Sequence, residues 1–302
     1  MRAVITGGTG LIGRSLCARI PDTLVLTRAP ERAVARFGDI NARRWNPDEP
    51  WGDESALAGS DAVFHLAGES VAGGRWTEAR KRRIRESRVL GTRHLVAGLA
   101  ALPEKPKVLV CASAVGIYGD RGDEPLDEDS TPGDGFLAGV CEAWEQEAMK
   151  AAQLGVRVVC ARIGVVLAAD GGALTRMMPA FRMGLGGRIA SGRQWMPWIH
   201  VDDVAGLLLL AAEQSTLRGP INCVAPDAVR NLEFTRALGR AVGRPALVPV
   251  PELALRLAVG EMSQVLTASQ RVLPRKAQAH GYDYRYPDLD GALRSASRAE
   301  AA

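Results

Sequence analysis

The chain has 302 residues, room for one large α/β domain or two unequal ones with a sizeable core. Apolar residues make up 47% and charged residues 24%, and the formal net charge is +4. That balance is ordinary for a globular protein. No apolar stretch reaches membrane-spanning length, and a strand opens at the N-terminus with no room for a signal peptide, so a cytoplasmic protein is expected. Five cysteines (Cys17, Cys111, Cys141, Cys160 and Cys223) make an odd count without a C-x-x-C pair or a histidine cluster. They read as buried free thiols, and no metal site is expected. The densest basic run, Arg80-Lys81-Arg82-Arg83 with Arg85 and Arg88, alternates with Glu78 and Glu86. It reads as a solvated helix face and not as a nucleic-acid surface.

In chain order, RAVIT (2–6) suits a buried parallel strand. Glycines follow, then a helix from Leu11 to Ile20. LVLT (24–27) is a second strand, and a weaker one spans Arg43 to Trp45. DAVFHLAG (61–68) is a strong strand, followed by a long helix from Thr77 to Leu102. KVLVCASA (107–114) is the next strand, residues 136–155 a helix stopped by Gly155, and VRVVCARIG (156–164) another strand. Strands alternating with helices predict an α/β fold, a Rossmann-type doubly wound parallel sheet. Beyond Gly164 glycines cluster, WIHVDDVAGLLLLAAE (198–213) turns into a helix, and prolines and tyrosines recur over 245–290. A smaller C-terminal substrate lobe is placed there, with a frayed tail over SASRAEAA (295–302).

The first turn carries the chemistry. Gly7, Gly10 and Gly13 are spaced three apart between the first strand and its helix. Such a turn lets backbone approach a pyrophosphate and aims a helix N-terminus at its charge. The second strand ends in Thr27-Arg28, where NAD enzymes usually place a carboxylate for the ribose hydroxyls. A guanidinium there clamps a 2′-phosphate that a carboxylate would repel, so NADP (NADPH) is expected over NAD.

TGGTGLIG, DAVFHLAGES, SRVLGT, SAVGIYGD and WIHVDD occur in the order of the extended short-chain dehydrogenase/reductases. GGRWTEARKRRIRESRVLGTRHL, FLAGVCEAWEQEA, GGRIASGRQWMPWIHVDD, NCVAPDAVRNLEF and VPVPELALRLAVGEM resemble one atypical branch, the epimerase-like (YfcH-like or SDR39U1-like) family. The resemblance covers nearly the whole chain. It implies an NADP-binding Rossmann domain over 1–225 and a C-terminal domain of unknown function over 249–297. It implies that Thr9, Gly10, Leu11, Ile12 and Gly13 cradle phosphates, that Thr27 and Arg28 hold the 2′-phosphate, and that Leu66, Ala67 and Gly68 pass beside the adenosine. Arg88 reaches back toward the cofactor, and the turn from Arg162 to Val166 flanks the nicotinamide. Homodimers built through helices are common in the fold family.

Working members of that superfamily use a Ser/Thr, a Tyr and a Lys. The tyrosinate is the acid/base, its pKa lowered by the ammonium four residues on along one helix face. Aligned on Tyr118, the serine position is Ala114. Aligned on Glu145, the Tyr and Lys positions are Leu137 and Cys141, and the asparagine of N-x-x-G-T is Arg88. The usual relay is therefore expected to be absent, which leaves the catalytic residues unassigned. His200 is an acid/base or a structural residue. Glu69 is a base or a surface carboxylate. Asp202 and Asp203 are expected to cap the helix that begins there. Trp76, Trp195 and Trp198 are either a pocket wall or core, and Cys141 is a packed small residue. Two functions remain open: an NADP(H)-dependent oxidoreductase or epimerase acting on a small molecule with a non-standard acid/base, or a non-catalytic NADP(H) sensor or scaffold.

Overall fold

A computed structural model describes residues 1–38 and 40–298. Seven parallel strands form the central sheet: β1 (Ala3–Thr6), β2 (Thr23–Thr27), β3 (Asn41–Arg44), β4 (Ala62–His65), β5 (Val108–Ala114), β6 (Arg157–Ile163) and β7 (Gly219–Cys223). Their order is β7-β6-β5-β4-β1-β2-β3. β1 pairs with both β2 and β4, so the winding direction reverses at that point.

Short buried strands are read by period two. Ala3 and Ile5 of β1 share a face with Phe64, Val110 and Ala161, covered by Val204, Leu207 and Leu208. Val4 faces the other way with Val63 and Leu109, against Leu95, Leu99 and Trp144. The covering helices are α1 (Leu11–Cys17), α2 (Pro30–Phe37), α3 (Glu78–Ala101), α4 (Phe136–Met149), α5 (Gly172–Arg182) and α6 (Val201–Glu213). α1 and α6 lie on the first face and pack on each other; α3 and α4 pair on the second.

The C-terminal region adds α7 (Asn231–Val242), α8 (Glu252–Val259), α9 (Ser263–Thr267), α10 (Arg275–Ala279) and α11 (Leu289–Arg298). A separate core of Leu174, Phe181, Trp198, Phe234 and Leu293 joins α5, α7 and α11. This lobe does not separate cleanly from the sheet domain, because Arg271–Val272 pairs with Pro125–Leu126.

Several expected boundaries move. The first helix stops at Cys17, three residues early, and the edge strand covers Asn41–Arg44, with Trp45 turned inward. The strand over 61–68 is paired only to His65. The glycine turn carries the chain away after Thr6: Leu66 N still donates to Thr6 O at 3.1 Å, and Ala67 N donates to Thr6 Oγ1 at 3.2 Å. α4 ends at Met149 and a 3-10 turn, Lys150–Leu154, completes the run to Gly155. α2, not expected from the sequence, buries only Ala33. Ser295–Arg298, expected to fray, ends α11; residues 299–302 of that tail lie outside the described residues.

Candidate dinucleotide and active site

Two glycines of the first turn are required by contact. Gly7 has φ 71°, and a β-carbon there would stand 2.8 Å from Ala67 N. On Gly13 it would stand 2.4 Å from Gly7 O and 2.6 Å from the Gly8 α-carbon. The turn closes through Gly10 N donating to Gly7 O at 3.0 Å. Gly10 then caps α1 without a side chain, and the first turn of α1 holds no acidic residue. The helix therefore presents free N–H groups and an uncompensated positive dipole end, which suits a pyrophosphate. Thr9, Leu11 and Ile12 complete this turn. Gly171 and Gly172 pack on the Leu11 side chain, and Arg14 pairs with Asp170 at 2.8 Å, so the segment after Val166 is seated against α1. Val166 itself pairs with Ile199 in a short parallel bridge.

Arg28 follows Thr27 at the end of β2. It is exposed and makes no hydrogen bond or ion pair among the described residues. No carboxylate stands between Thr27 and the start of α2. Leu66, Ala67 and Gly68 run past the end of β4, where a buried chain fixes them. Thr6 Oγ1 and His65 Nδ1 lie 2.7 Å apart, and His65 Nε2 and Thr92 Oγ1 lie 3.0 Å apart. Burial holds the His65 imidazole at a pKa of about 3, so the ring is neutral.

At the centre, Ala114 ends β5, Leu137 lies in the first turn of α4 beneath Gly116, and Cys141 is buried. Burial pushes the Cys141 thiol up to about 11. Ser113, one residue before Ala114, points away and donates to Glu145 Oε1 at 2.6 Å. Arg162 is buried and holds the same Glu145 through Nε–Oε1 and Nη2–Oε2 contacts of 2.9 Å each. Its side chain is thus spent inside the fold, and only its backbone borders the turn toward Val166. Arg88 lies against Gly68 and over the Trp144 ring.

Tyr118 and the acid/base candidates His200 and Glu69 are engaged elsewhere. Tyr118 is wholly buried; its hydroxyl donates to Asn222 Oδ1 at 2.7 Å and accepts from Arg162 Nη1 at 3.0 Å, and burial raises it to about 12. His200 caps α6, its Nδ1 accepting from Asp202 N at 3.2 Å, and its ring stacks on Tyr286 at 3.9 Å. That cap corrects the expectation for the two aspartates. Asp202 pairs with Arg19 at 2.9 Å, while buried Asp203 accepts from Arg285 N at 2.8 Å and Tyr286 N at 3.0 Å, pinning the C-terminal segment. Glu69 Oε1 lies 3.6 Å from Arg80 Nη2.

The three tryptophans do not share a wall. Trp198 is core, Trp76 packs on Phe136 at 5.2 Å, and Trp195 lies under the guanidiniums of Arg230 and Arg271 at 4.5 and 5.1 Å. Sequence reading missed the ties from residues 72–81 to α5, α8 and Glu261, because the partners are far apart in the chain. Arg75 donates to Leu257 O and Ala258 O of α8, Arg176 of α5 donates to Ala72 O, and Lys81 pairs with Glu261. Among the described residues no cluster of His, Cys, Asp or Glu is arranged to hold a metal, and no helix is long and apolar enough to cross a membrane.

A strand order that reverses at β1, with a glycine turn opening α1 there, defines a Rossmann-type dinucleotide-binding protein. Residues 3–223 match the NAD dependent epimerase/dehydratase family, and residues 250–296 match a domain of unknown function (DUF1731). The epimerase family protein MT2273 of Mycobacterium tuberculosis is 42% identical over 96% of this chain and 95% of its own length. The chloroplastic SDR39U1 homolog of Arabidopsis thaliana is 39% identical over 98% of this chain and 86% of its own. The crystal structure of human epimerase family protein SDR39U1 (isoform 2) with NADPH superposes with a TM-score of 0.87 at 33% identity, covering 99% of both chains. The chain belongs to the NAD dependent epimerase/dehydratase family, in the group of SDR39U1-type epimerase family proteins with the C-terminal domain of unknown function.

Proposed function

We propose that this chain is an NADP(H)-binding, atypical short-chain dehydrogenase/reductase that acts as an oxidoreductase or epimerase on a small molecule without the Ser-Tyr-Lys relay. The observation that carries the cofactor choice is Arg28 at the end of β2, without a hydrogen bond or ion pair among the described residues and with no carboxylate between Thr27 and α2. The NADPH bound to the human relative supports the same choice. When bound, NADP(H) supplies hydride chemistry. Gly7 to Gly13 and the start of α1 receive the pyrophosphate, Thr27 and Arg28 the 2′-phosphate, and Leu66 to Gly68 the adenosine side. The backbone from Arg162 to Val166 borders the nicotinamide half.

The centre itself offers no ready proton. Ala114 and Leu137 carry none, and the Cys141 thiol is held protonated by burial. A missing acid/base costs about 10²–10⁴-fold, while holding a substrate in place retains part of the rate. One observation favours a second reading, a cofactor-dependent sensor or scaffold without turnover. Tyr118, His200 and Glu69 are all committed to other partners.

The two separate in one experiment. Protein saturated with NADPH is mixed with carbonyl compounds and nucleotide sugars while the nicotinamide absorbance is followed. The oxidoreductase reading expects slow loss of absorbance with one class of acceptor; tight binding with constant absorbance across the panel supports the sensor. UDP-sugar turnover at ordinary enzyme rates, persisting after His200 and Glu69 are each replaced, would overturn the missing relay.

A further inference from the structure

Exposed apolar side chains are not scattered over this molecule. Of the eleven large apolar residues exposed among the described residues, six fall in three short stretches around α5 and α8: Met183 and Leu185, Leu247 and Val248, and Leu253 and Leu257. Leu247 is 81% exposed. Backbone bonds hold the first two stretches together, with Val248 N donating to Gly186 O at 3.0 Å and Val250 N to Arg188 O at 2.9 Å. The third follows at once, because Pro251 caps α8. α8 buries only Leu255, and Leu253 and Leu257 share the opposite face of the helix. A concentration of bare apolar side chains marks a surface that another body covers.

Charge indicates which body. Leu247 also lines a cavity of about 580 Å³ at the end of α7, together with Arg188, Arg236, Arg240 and Arg244, and no carboxylate lines it. Arg236 and Arg240 stand four apart on α7, a spacing at which like charges repel. Asp290 answers Arg240 at 2.8 Å. Arg188 Nη1 donates to Ser191 O at 3.0 Å. The Arg236 and Arg244 side chains make no hydrogen bond or ion pair among the described residues. The cavity therefore carries surplus positive charge at the border of the apolar surface. A layer of phosphate oxygens over hydrocarbon is complementary to both parts at once. We infer that this face is a peripheral docking surface for an anionic phospholipid bilayer, with lipid phosphate in the arginine-lined cavity and Leu247, Leu253 and Leu257 seated at the boundary of headgroups and acyl chains. The inference is independent of the cofactor reading above.

Vesicle flotation tests it with the full chain. The protein is mixed with vesicles of equal parts phosphatidylglycerol and phosphatidylcholine, or of phosphatidylcholine alone, and floated on a density gradient. It is expected to rise with the anionic vesicles only and to be released by raised salt. Arg236→Gln combined with Arg244→Gln is expected to weaken the partition about tenfold or more. Leu253→Ser combined with Leu257→Ser is expected to weaken it by about the same factor. All four side chains are exposed, so the melting temperature of each double variant should be unchanged. Absence of flotation with the anionic vesicles overturns the inference, as does equal flotation with both vesicle types. Unchanged partition of either double variant also overturns it. Calorimetric binding of glycerol phosphate without flotation would overturn it in favour of a soluble organophosphate in the cavity. A dimer dispersed by the Leu253→Ser, Leu257→Ser pair, again without flotation, would overturn it in favour of a second copy of the chain.

Discussion

Arg162 grips Glu145 through two parallel contacts of 2.9 Å, and both side chains are almost wholly buried. Ser113 and Tyr118 complete their hydrogen bonds. The pair ties β6 to α4 behind Ala114 and Cys141, so it sets the back wall of the centre. Removing one member strands the other. Glu145→Ala is expected to cost about 3–5 kcal/mol, as for other broken buried pairs, read as a lowered urea midpoint. A loss below about 1 kcal/mol, the scale of exposed pairs, would show that water reaches the guanidinium.

Cofactor choice is expected to rest on Arg28. The unmutated protein should bind NADPH more tightly than NADH. Arg28→Asp removes a charged hydrogen bond and adds repulsion, and should weaken NADPH by about 10–100-fold while sparing NADH. Equal affinities for the two cofactors in the unmutated protein refute this assignment.

The glycines of the first turn should divide into two kinds. A β-carbon on Gly10 meets only Gly7 O, at 3.2 Å, and Gly10 has an ordinary extended backbone. Gly10→Val should therefore fold, with unchanged circular dichroism, and lose NADPH binding, because the side chain takes the space of the pyrophosphate. Gly13→Val drives into the Gly8 backbone at 2.6 Å and should lower the melting temperature as well. Tight NADPH binding by Gly10→Val would place the phosphate site elsewhere.

His65 makes stability depend on pH with a definite sign. Its folded pKa, about 3, lies below the ordinary 6.5 because the ring is fully buried. Between those values the unfolded chain binds a proton that the folded chain does not, so stability falls as pH drops. The contribution reaches about 1.4 kcal/mol per pH unit and is absent above the unfolded value. Burial lowers His200 as well, adding to the same slope. Denaturant titrations from neutral pH downward should show this loss, and His65→Gln should flatten it. An identical slope in the variant would assign the loss to other groups.

What the sequence determined by itself was local. Continuous apolar runs in RAVIT, DAVFHLAG and KVLVCASA specify buried parallel strands because each face of such a sheet is covered. Gly7, Gly10 and Gly13 announce the turn because a β-carbon there meets backbone. That α4 carries Leu137 and Cys141 four residues apart, and no tyrosine or lysine, is equally legible. Tertiary structure alone decided which charges are available. Arg28, Arg88 and Arg162 look alike in the sequence, yet Arg28 has no partner among the described residues, Arg162 is neutralised by Glu145, and Arg88 is half-buried and donates to the Glu69 and Ile84 carbonyls. His200 likewise lost its chemical candidacy, to the helix it caps and to the Tyr286 ring. The physical reason is range: backbone conformation and period follow from neighbours along the chain, whereas the protonation and freedom of a side chain follow from burial and from partners that only the folded sheet brings within hydrogen-bond distance.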